Sequence, residues 1–451
     1  MLQRPNLTHR VVLASTISIA GHGLSQAIRF GGNLLMTRLL APEMFGVAAL
    51  ATIVMVALAL FSDLGFRQCI VQSRRGDDPA FLNTAWSLQI FRGCVLFLIA
   101  LFIAGGVHGA NRAGLVPLAS VYADPILPWV ISAIAVSMVI GGFTTTKIYQ
   151  AGRDLLLGRL TLIELVAQLL GLGAMLIWVN FDRSVWALVS GGLVASTASV
   201  LLAHVWLPGT HNKLRWDRTS AGELMRFGRW IFLSSGLGFF VANADRIFLG
   251  AVLNAQRFGI YVIAYFMVSA CDQLIGTLAG KVAFPAMSEI VRNGGNLRRG
   301  FYRLHAVLAG AAYFISGVLM TSGHVMVAIF YEDRYAEVGW MIRILAVTLL
   351  AAPLHIASQA YLALGRPEIH SRLLAVRLFA VVSAMPVGFY LFDLVGAVWG
   401  VVVAQSVNLP LYLYYNSKLG FFDPRREIGS LLIVLLGLAV GMIIVGSVPA
   451  E

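Results

Sequence analysis

The chain has 451 residues, 59% hydrophobic and only 12% charged, with 33 Lys and Arg against 21 Asp and Glu. Charge at half its usual share, with a mean hydropathy of +0.81, excludes soluble, secreted, collagenous and disordered classes and leaves an all-α polytopic membrane protein. The net charge of +12 is then orientation charge, not a nucleic-acid footprint, since the sequence carries no basic recognition module.

Apolar runs punctuated by charge, Pro and Gly predict about thirteen transmembrane helices. They fall at 11 to 37, 44 to 64, 82 to 105, 126 to 146, 157 to 179, 185 to 207, 229 to 251, 258 to 285, 304 to 329, 339 to 363, 370 to 391, 394 to 415 and 429 to 447. The first begins like a signal peptide, with Arg4 and Arg10 ahead of Val11 to Ala20. Its helical pattern continues through Arg29 and Asn33 to Leu40, about 30 residues at about 1.5 Å each, which is too long for a cleaved segment. Cys69, Cys94 and Cys271 are odd in number, scattered and without CxxC spacing, so they read as buried small apolar residues.

Lys and Arg gather in alternate loops. Arg74 and Arg75; Lys147, Arg153 and Arg159; Lys213, Arg215, Arg218, Arg226 and Arg229; Arg292, Arg298, Arg299 and Arg303; Arg366 and Arg372; and Lys418, Arg425 and Arg426 all fall on the side of the N-terminus. That side is expected to be cytoplasmic. The polar loop from Pro208 to Arg226 divides six spans from seven. The expected organisation is a six-helix lobe over 1–208, a cytoplasmic linker over 209–228, a second six-helix lobe over 229–416 and one extra helix within 417–451. Because six is even, both lobes start from the same side, as parallel repeats do. An internal echo fits this, Leu40-Ala-Pro-Glu-Met-Phe45-Gly46 against Leu253-Asn-Ala-Gln-Arg-Phe258-Gly259.

A charged side chain at mid-bilayer costs about 2.5–3.5 kcal/mol on insertion scales, so each one asks for a reason. His22, Gln26, Arg29 and Asn33 share one stripe of the first helix, extended by Ser15 and Ser18, and a polar stripe faces either another helix or a water-filled cavity. The cavity is the favoured reading. Arg92, with Gln89 one turn before it, lies mid-span, and a salt bridge to Glu164 or Asp63 is the alternative. Thr161, Glu164 and Gln168 share a face of the fifth span, and Ser269, Gln273, Thr277 and Lys281, with Asp272 alongside, a face of the eighth; the two faces are expected to line the same lumen from both lobes. Glu164 and Asp272 either couple transport to Na⁺ or H⁺ or pair with the arginines.

Asp245 and Arg246, near a span end, read as structural, Tyr412, Tyr414 and Tyr415 as an aromatic belt, and Gly276/Gly280, Gly396/Gly400 and Gly437/Gly441 as close helix packing. P-loop, HExxH and nucleophile-elbow motifs are absent from the sequence, so neither ATP hydrolysis nor an enzyme activity has a motif to rest on.

Several segments in order resemble the polysaccharide-transport, Wzx-type branch of the multidrug/oligosaccharidyl-lipid/polysaccharide (MOP) flippase superfamily. They are Thr37-Arg-Leu-Leu-Ala-Pro-Glu-Met-Phe-Gly46, Asp63-Leu-Gly-Phe66, Asn243-Ala-Asp-Arg-Ile-Phe-Leu-Gly250, Phe284-Pro285 and Ala363-Leu-Gly-Arg-Pro367. The resemblance implies two six-helix lobes forming a V around a central cavity, in a bacterial inner membrane. It implies alternating access that moves a polyprenyl-pyrophosphate-linked oligosaccharide to the outer leaflet for exopolysaccharide or O-antigen synthesis. Two spans are expected after the twelfth in that family, where this chain has one. Arg29 and Arg92 would meet the pyrophosphate, and no resident cofactor is expected beyond a coupling ion. The expected partners are the lipid-linked oligosaccharide, the bilayer and other polysaccharide assembly proteins, with the chain itself a monomer. The competing readings are a multidrug and toxic-compound extrusion cation antiporter, which shares the fold but would place carboxylates in its cavity, and a membrane glycosyltransferase or polymerase.

Overall fold

A computed structural model describes residues 7–447 except 64, 67, 68, 71, 72, 74, 154 and 155, and leaves the side chains of 7–19, 226–234 and 237 undescribed. Ser15, Ser18, Arg74, Arg226 and Arg229 of the sequence reading therefore lie outside the described side chains. The described residues form helices without a strand. In chain order these are α1 (Leu7–Leu39), α2 (Pro42–Leu60), α3 (Pro79–Arg112), α4 (Leu127–Gly142), α5 (Lys147–Arg153), α6 (Leu157–Val179), α7 (Val185–Trp206) and α8 (Arg218–Val252). There follow α9 (Ala255–Leu278), α10 (Phe284–Arg292), α11 (Leu297–Phe330), α12 (Glu337–Leu345), α13 (Pro353–Ala363), α14 (Pro367–Ser406), α15 (Leu409–Lys418) and α16 (Pro424–Ser447). Every one of the thirteen expected spans overlaps a helix. By length and apolar content alone, nine stretches among the described residues can cross a membrane, ten if α4 and α5, bent by 62°, count as one.

The helices start and stop for local reasons. Pro42, Pro79, Pro353 and Pro367 open helices at positions whose N–H has no intrahelical partner. Asp78 caps α3, its carboxylate accepting from the Ala80 N–H, and Asp217 caps α8 by accepting from Ser220 N–H. The tenth span is broken into α12, a 3₁₀ turn over Ala346–Ala351 and α13. At the break the Ser316 hydroxyl of α11 donates to the Ala346 carbonyl at 2.7 Å. In α14 the backbone leaves the helical region at Phe392 and Asp393, the latter at φ 52°. There the chain doubles back, so that Gly388 packs on the backbone of Gly396 and Gly400 on Met385. The expected spans 370 to 391 and 394 to 415 are the two arms of that hairpin.

The chain packs into two compact units, Met1–Asn243 with Leu249–Gly259, and Ala244–Phe248 with Ile260–Glu451. This differs from a boundary at 209–228, because most of α8 belongs to the first unit. Gly236 packs on Phe61, whose ring also meets Phe239 and Phe240 edge-on. Leu253 O accepts from Val121 N–H at 2.9 Å, and Gly250 O from the Ser120 hydroxyl at 3.1 Å. The two echo segments meet within this unit. Gly46 lies against the Ala255 carbonyl and Gly259 against Pro42, so a side chain at either glycine would strike backbone.

In the second unit α16 lies along α11, where Gly437 packs on Phe314 backbone and Gly441 on Thr321. Its first turn is pinned by Glu427, which accepts from the hydroxyls of Tyr302 at 2.8 Å and Tyr412 at 2.6 Å and faces His305 at 3.4 Å. Tyr412 is therefore buried, not part of an aromatic belt, because its hydroxyl has a carboxylate inside the protein. Two further expectations need correction. Cys94 is exposed, on the outer face of α3, and Gly280 has no close neighbour, unlike Gly276 beside His355. Asp245 is buried and accepts from Tyr261 at 2.7 Å, which fits a structural role without the snorkelling expected of a span end.

Candidate functional site

The first unit holds a cavity of about 410 Å³ among α1, α4, α6 and α7. Sequence spacing brings α1 and α6 together there. Gly21 admits Thr161, Gly32 admits Leu172, and between them Ser25 and Gln168 exchange two hydrogen bonds, side chain to side chain at 3.0 Å and Gln168 Nε2 to Ser25 O at 3.2 Å. Arg29, one turn beyond Ser25, reaches the cavity; Glu164, one turn before Gln168, enters from α6. Ser137, Thr144, Ser196 and Ser199 add hydroxyls. Neither Arg29 nor Glu164 makes a hydrogen bond or ion pair among the described residues. The cavity thus offers one cation, one anion and a ring of neutral donors and acceptors, a set suited to a charged group attached to hydroxyl-rich material.

The rest of the stripe on α1 does not line this cavity. His22, Gln26 and Asn33 are half-buried, and His22 Nε2 and Asn33 Oδ1 are enclosed without a partner among the described residues.

Arg92 and Gln89 have a different task from the one expected. The guanidinium of Arg92 donates from Nε to the Ser62 hydroxyl at 2.9 Å and from Nη2 to Ala59 O at 2.6 Å, serving the carbonyl end of α2. Gln89 is buried. Its Nε2 lies 3.1–3.3 Å from the carbonyls of Gly141, Gly142 and Thr144 at the end of α4, and its Oε1 accepts from Tyr149 at 3.0 Å. Lys147 does the same for α7, donating to His204 O at 2.9 Å. Helix C-termini carry unsatisfied carbonyls and partial negative charge, and these three side chains answer them. No salt bridge joins Arg92 to Glu164 or Asp63 among the described residues, and its Nε and Nη2 are committed to the end of α2.

The second unit places Gln273 and Lys281 on exposed surface, Lys281 within a π-helical turn over Ala279–Ala283. Asp272 is paired instead of free, 2.9 Å from His355 Nε2 on α13. Beside this pair is a second cavity of about 110 Å³, reached by Ser358 from α13, His370 and Arg377 from α14, and Gln405 and Asn408 from the returning arm. Sequence reading missed His355, His370 and Arg377. Arg377 carried a usable signal, a charge eight residues into the predicted span at 370 to 391; the histidines carried none until the 3₁₀ break turned His355 towards α9.

A family model described as polysaccharide biosynthesis protein matches residues 35–339, more than half of the chain. The chain is 23% identical to the lipopolysaccharide biosynthesis protein WzxC of Escherichia coli over 413 residues, covering 90% of this chain and 79% of that protein. It is 24% identical to the teichuronic acid biosynthesis protein TuaB of Bacillus subtilis over 309 residues, or 68% of this chain and 62% of that protein. Among solved structures it resembles the lipid II flippase MurJ in an inward closed conformation, with a TM-score of 0.71 at 11% identity over 98% of this chain and 94% of that one. It also resembles an inward-facing multidrug resistance MATE family transporter of the MOP superfamily, with a TM-score of 0.61 at 12% identity over 97% and 98%. At such identities these two likenesses establish the fold.

Proposed function

Because the chain belongs to the polysaccharide biosynthesis protein family, we propose that it is a flippase carrying a polyprenyl-pyrophosphate-linked oligosaccharide from the cytoplasmic to the outer leaflet of a bacterial inner membrane. The observation that carries this reading is Arg29, a cation without an ion pair among the described residues, on a 410 Å³ cavity rimmed by serine and threonine hydroxyls. The pyrophosphate meets the guanidinium, the sugar meets the hydroxyls, and the isoprenoid tail stays in the bilayer. At about 4 Å and an effective dielectric of about 20 one such charge pair is worth roughly 4 kcal/mol before desolvation, and less at an exposed side chain. That is enough to capture a headgroup and weak enough to release it. In this reading the N-terminus is cytoplasmic, the positive loops stay inside, and the transport cycle alternates access. The relatives' names, WzxC and TuaB in polysaccharide assembly and MurJ as a lipid II flippase, support the cargo class.

Glu164 on the same cavity is the one observation that favours a cation-exporting antiporter. The two readings part in one experiment, glycan export and drug efflux measured side by side in a host deleted for the gene. The flippase reading expects Arg29→Ala to lower surface glycan sharply with protein abundance unchanged. Intact export in that variant, or drug efflux by the wild type in place of export, rejects it. Cysteine labelling tests the orientation, with residue 300 expected inside and residue 334 outside; the reverse pattern overturns it.

A further inference from the structure

We propose that the Asp272–His355 pair in the second unit is a proton-binding site, fed through the small cavity beside it, that couples the transport cycle to the proton gradient. The coupling half of this rests on the flippase reading. His355 Nε2 faces a carboxylate oxygen at 2.9 Å, so Nε2 carries the hydrogen and donates it. The other ring nitrogen, Nδ1, faces Gly276 on α9, where no side chain crowds it. A proton taken from water therefore lands on Nδ1, giving an imidazolium whose counter-charge, Asp272, is already in place; its return to water restores the neutral ring. Both side chains are about a quarter exposed, 28% for His355 and 25% for Asp272.

The cavity supplies the route. Its 110 Å³ holds a few waters, and two of its polar atoms want them: Asn408 Oδ1 and His370 Nδ1 are enclosed without a partner among the described residues, and Asn408 is only 4% exposed. His370 and Arg377 stand two turns apart on one face of α14, so the polar lining runs along the helix for about 10 Å, from the end near the α13–α14 loop towards Asp272. The other titratable groups around the pair are Arg377 on α14 and Tyr265 and Cys271 on α9, each in electrostatic range of Asp272. Nearby, α11 packs apolar Leu308 and Ala312 against Ile275 of α9 and Ala352.

This set binds a proton in preference to Na⁺. A sodium ion needs several oxygens around it, whereas here a nitrogen holds Asp272 Oδ1 and the Arg377 guanidinium adds positive charge. The same arginine repels an imidazolium and so helps the proton leave.

The test uses the full chain in liposomes with ¹⁵N-labelled histidine, the His355 signal being the one missing from His355→Gln. In the wild type, the protonation of His355 Nδ1 should follow the pH of the buffer. The doubly protonated signal should weaken in Asp272→Asn, and exchanging sodium for choline should change nothing. A His355 ring whose protonation never changes, or one that responds to sodium, overturns the proposal.

The coupling is read on a fluorescent polyprenyl-pyrophosphate-linked sugar in the same liposomes. A gradient of about two pH units bounds the asymmetry per coupled proton at roughly a hundredfold. The wild type should accumulate the probe in one leaflet, and His355→Gln and Asp272→Asn should only equilibrate it. Both variants keep a hydrogen-bonding partner, so the pair can still close. Wild-type movement indifferent to the gradient overturns the coupling. Movement of no probe under any condition counts against the flippase reading, and the histidine signal then decides the proton site by itself.

Discussion

The two cavities differ in size and in what their charges do. In the first unit Arg29 and Glu164 share about 410 Å³ and neither pairs with another described residue; in the second Asp272 is already bound to His355 beside about 110 Å³. An unpaired charge in a large space is energetically useful only to a large ligand that brings its own counter-charge. A paired charge in a small space suits something that enters and leaves without breaking the pair, and a proton meets that condition. The contrast also divides the arginines, since Arg29 is open while Arg92 is engaged by α2.

The largest expected effect is on Arg29. Arg29→Ala should lower glycan export by roughly tenfold to a hundredfold, one to two steps of 1.4 kcal/mol, with the thermal unfolding of purified protein unchanged. Equal losses in export and stability would erase the distinction between the cavities. Arg92→Ala should do the opposite, destabilising the protein by about 2 kcal/mol through lost charged hydrogen bonds while the folded fraction still exports. A selective export defect there would return Arg92 to the ligand.

In the second unit Glu427→Gln keeps an acceptor for Tyr302 and Tyr412 but removes the charge facing His305. It should cost about 1 kcal/mol, read as earlier thermal unfolding, and leave proton-driven asymmetry intact. Smallest is Asp78→Ala at the exposed start of α3, roughly 0.5 kcal/mol from the lost cap. The Arg75 hydrogen bond, with help from the Ala80 N–H, holds the Asp78 carboxyl below the usual carboxylate range. Its stabilisation is therefore full above about pH 4 and lost as pH falls through that depressed value. A unfolding profile whose acid limb is the same in Asp78→Ala as in the wild type would contradict this.

Helix positions were legible because membrane helices obey a one-dimensional rule: an apolar stretch long enough to cross, interrupted by charge. The span at 157 to 179 coincides with α6 to the residue. Gly437 and Gly441 announced the α16 contact for a similar reason, since small residues at i and i+4 are a local pattern with a packing consequence. The Gly46 and Gly259 echo was visible too, though only the fold showed the two segments touching.

What a polar group within a span binds was not legible. Arg29 and Arg92 look alike along the chain, each a cation amid apolar sequence, yet one meets open space and the other the last turn of α2. That choice depends on where a different helix stops, and helix ends are set by three-dimensional packing. His355 faces Asp272 across 83 positions of sequence because the turn at Ala346–Ala351 resets the phase of the helix that follows. Length, apolar content and charge bias alone determined a polytopic helical membrane protein, since each is a property of local sequence. Tertiary structure decided which ionisable groups stay open and which are satisfied, because that depends on partners far away along the chain.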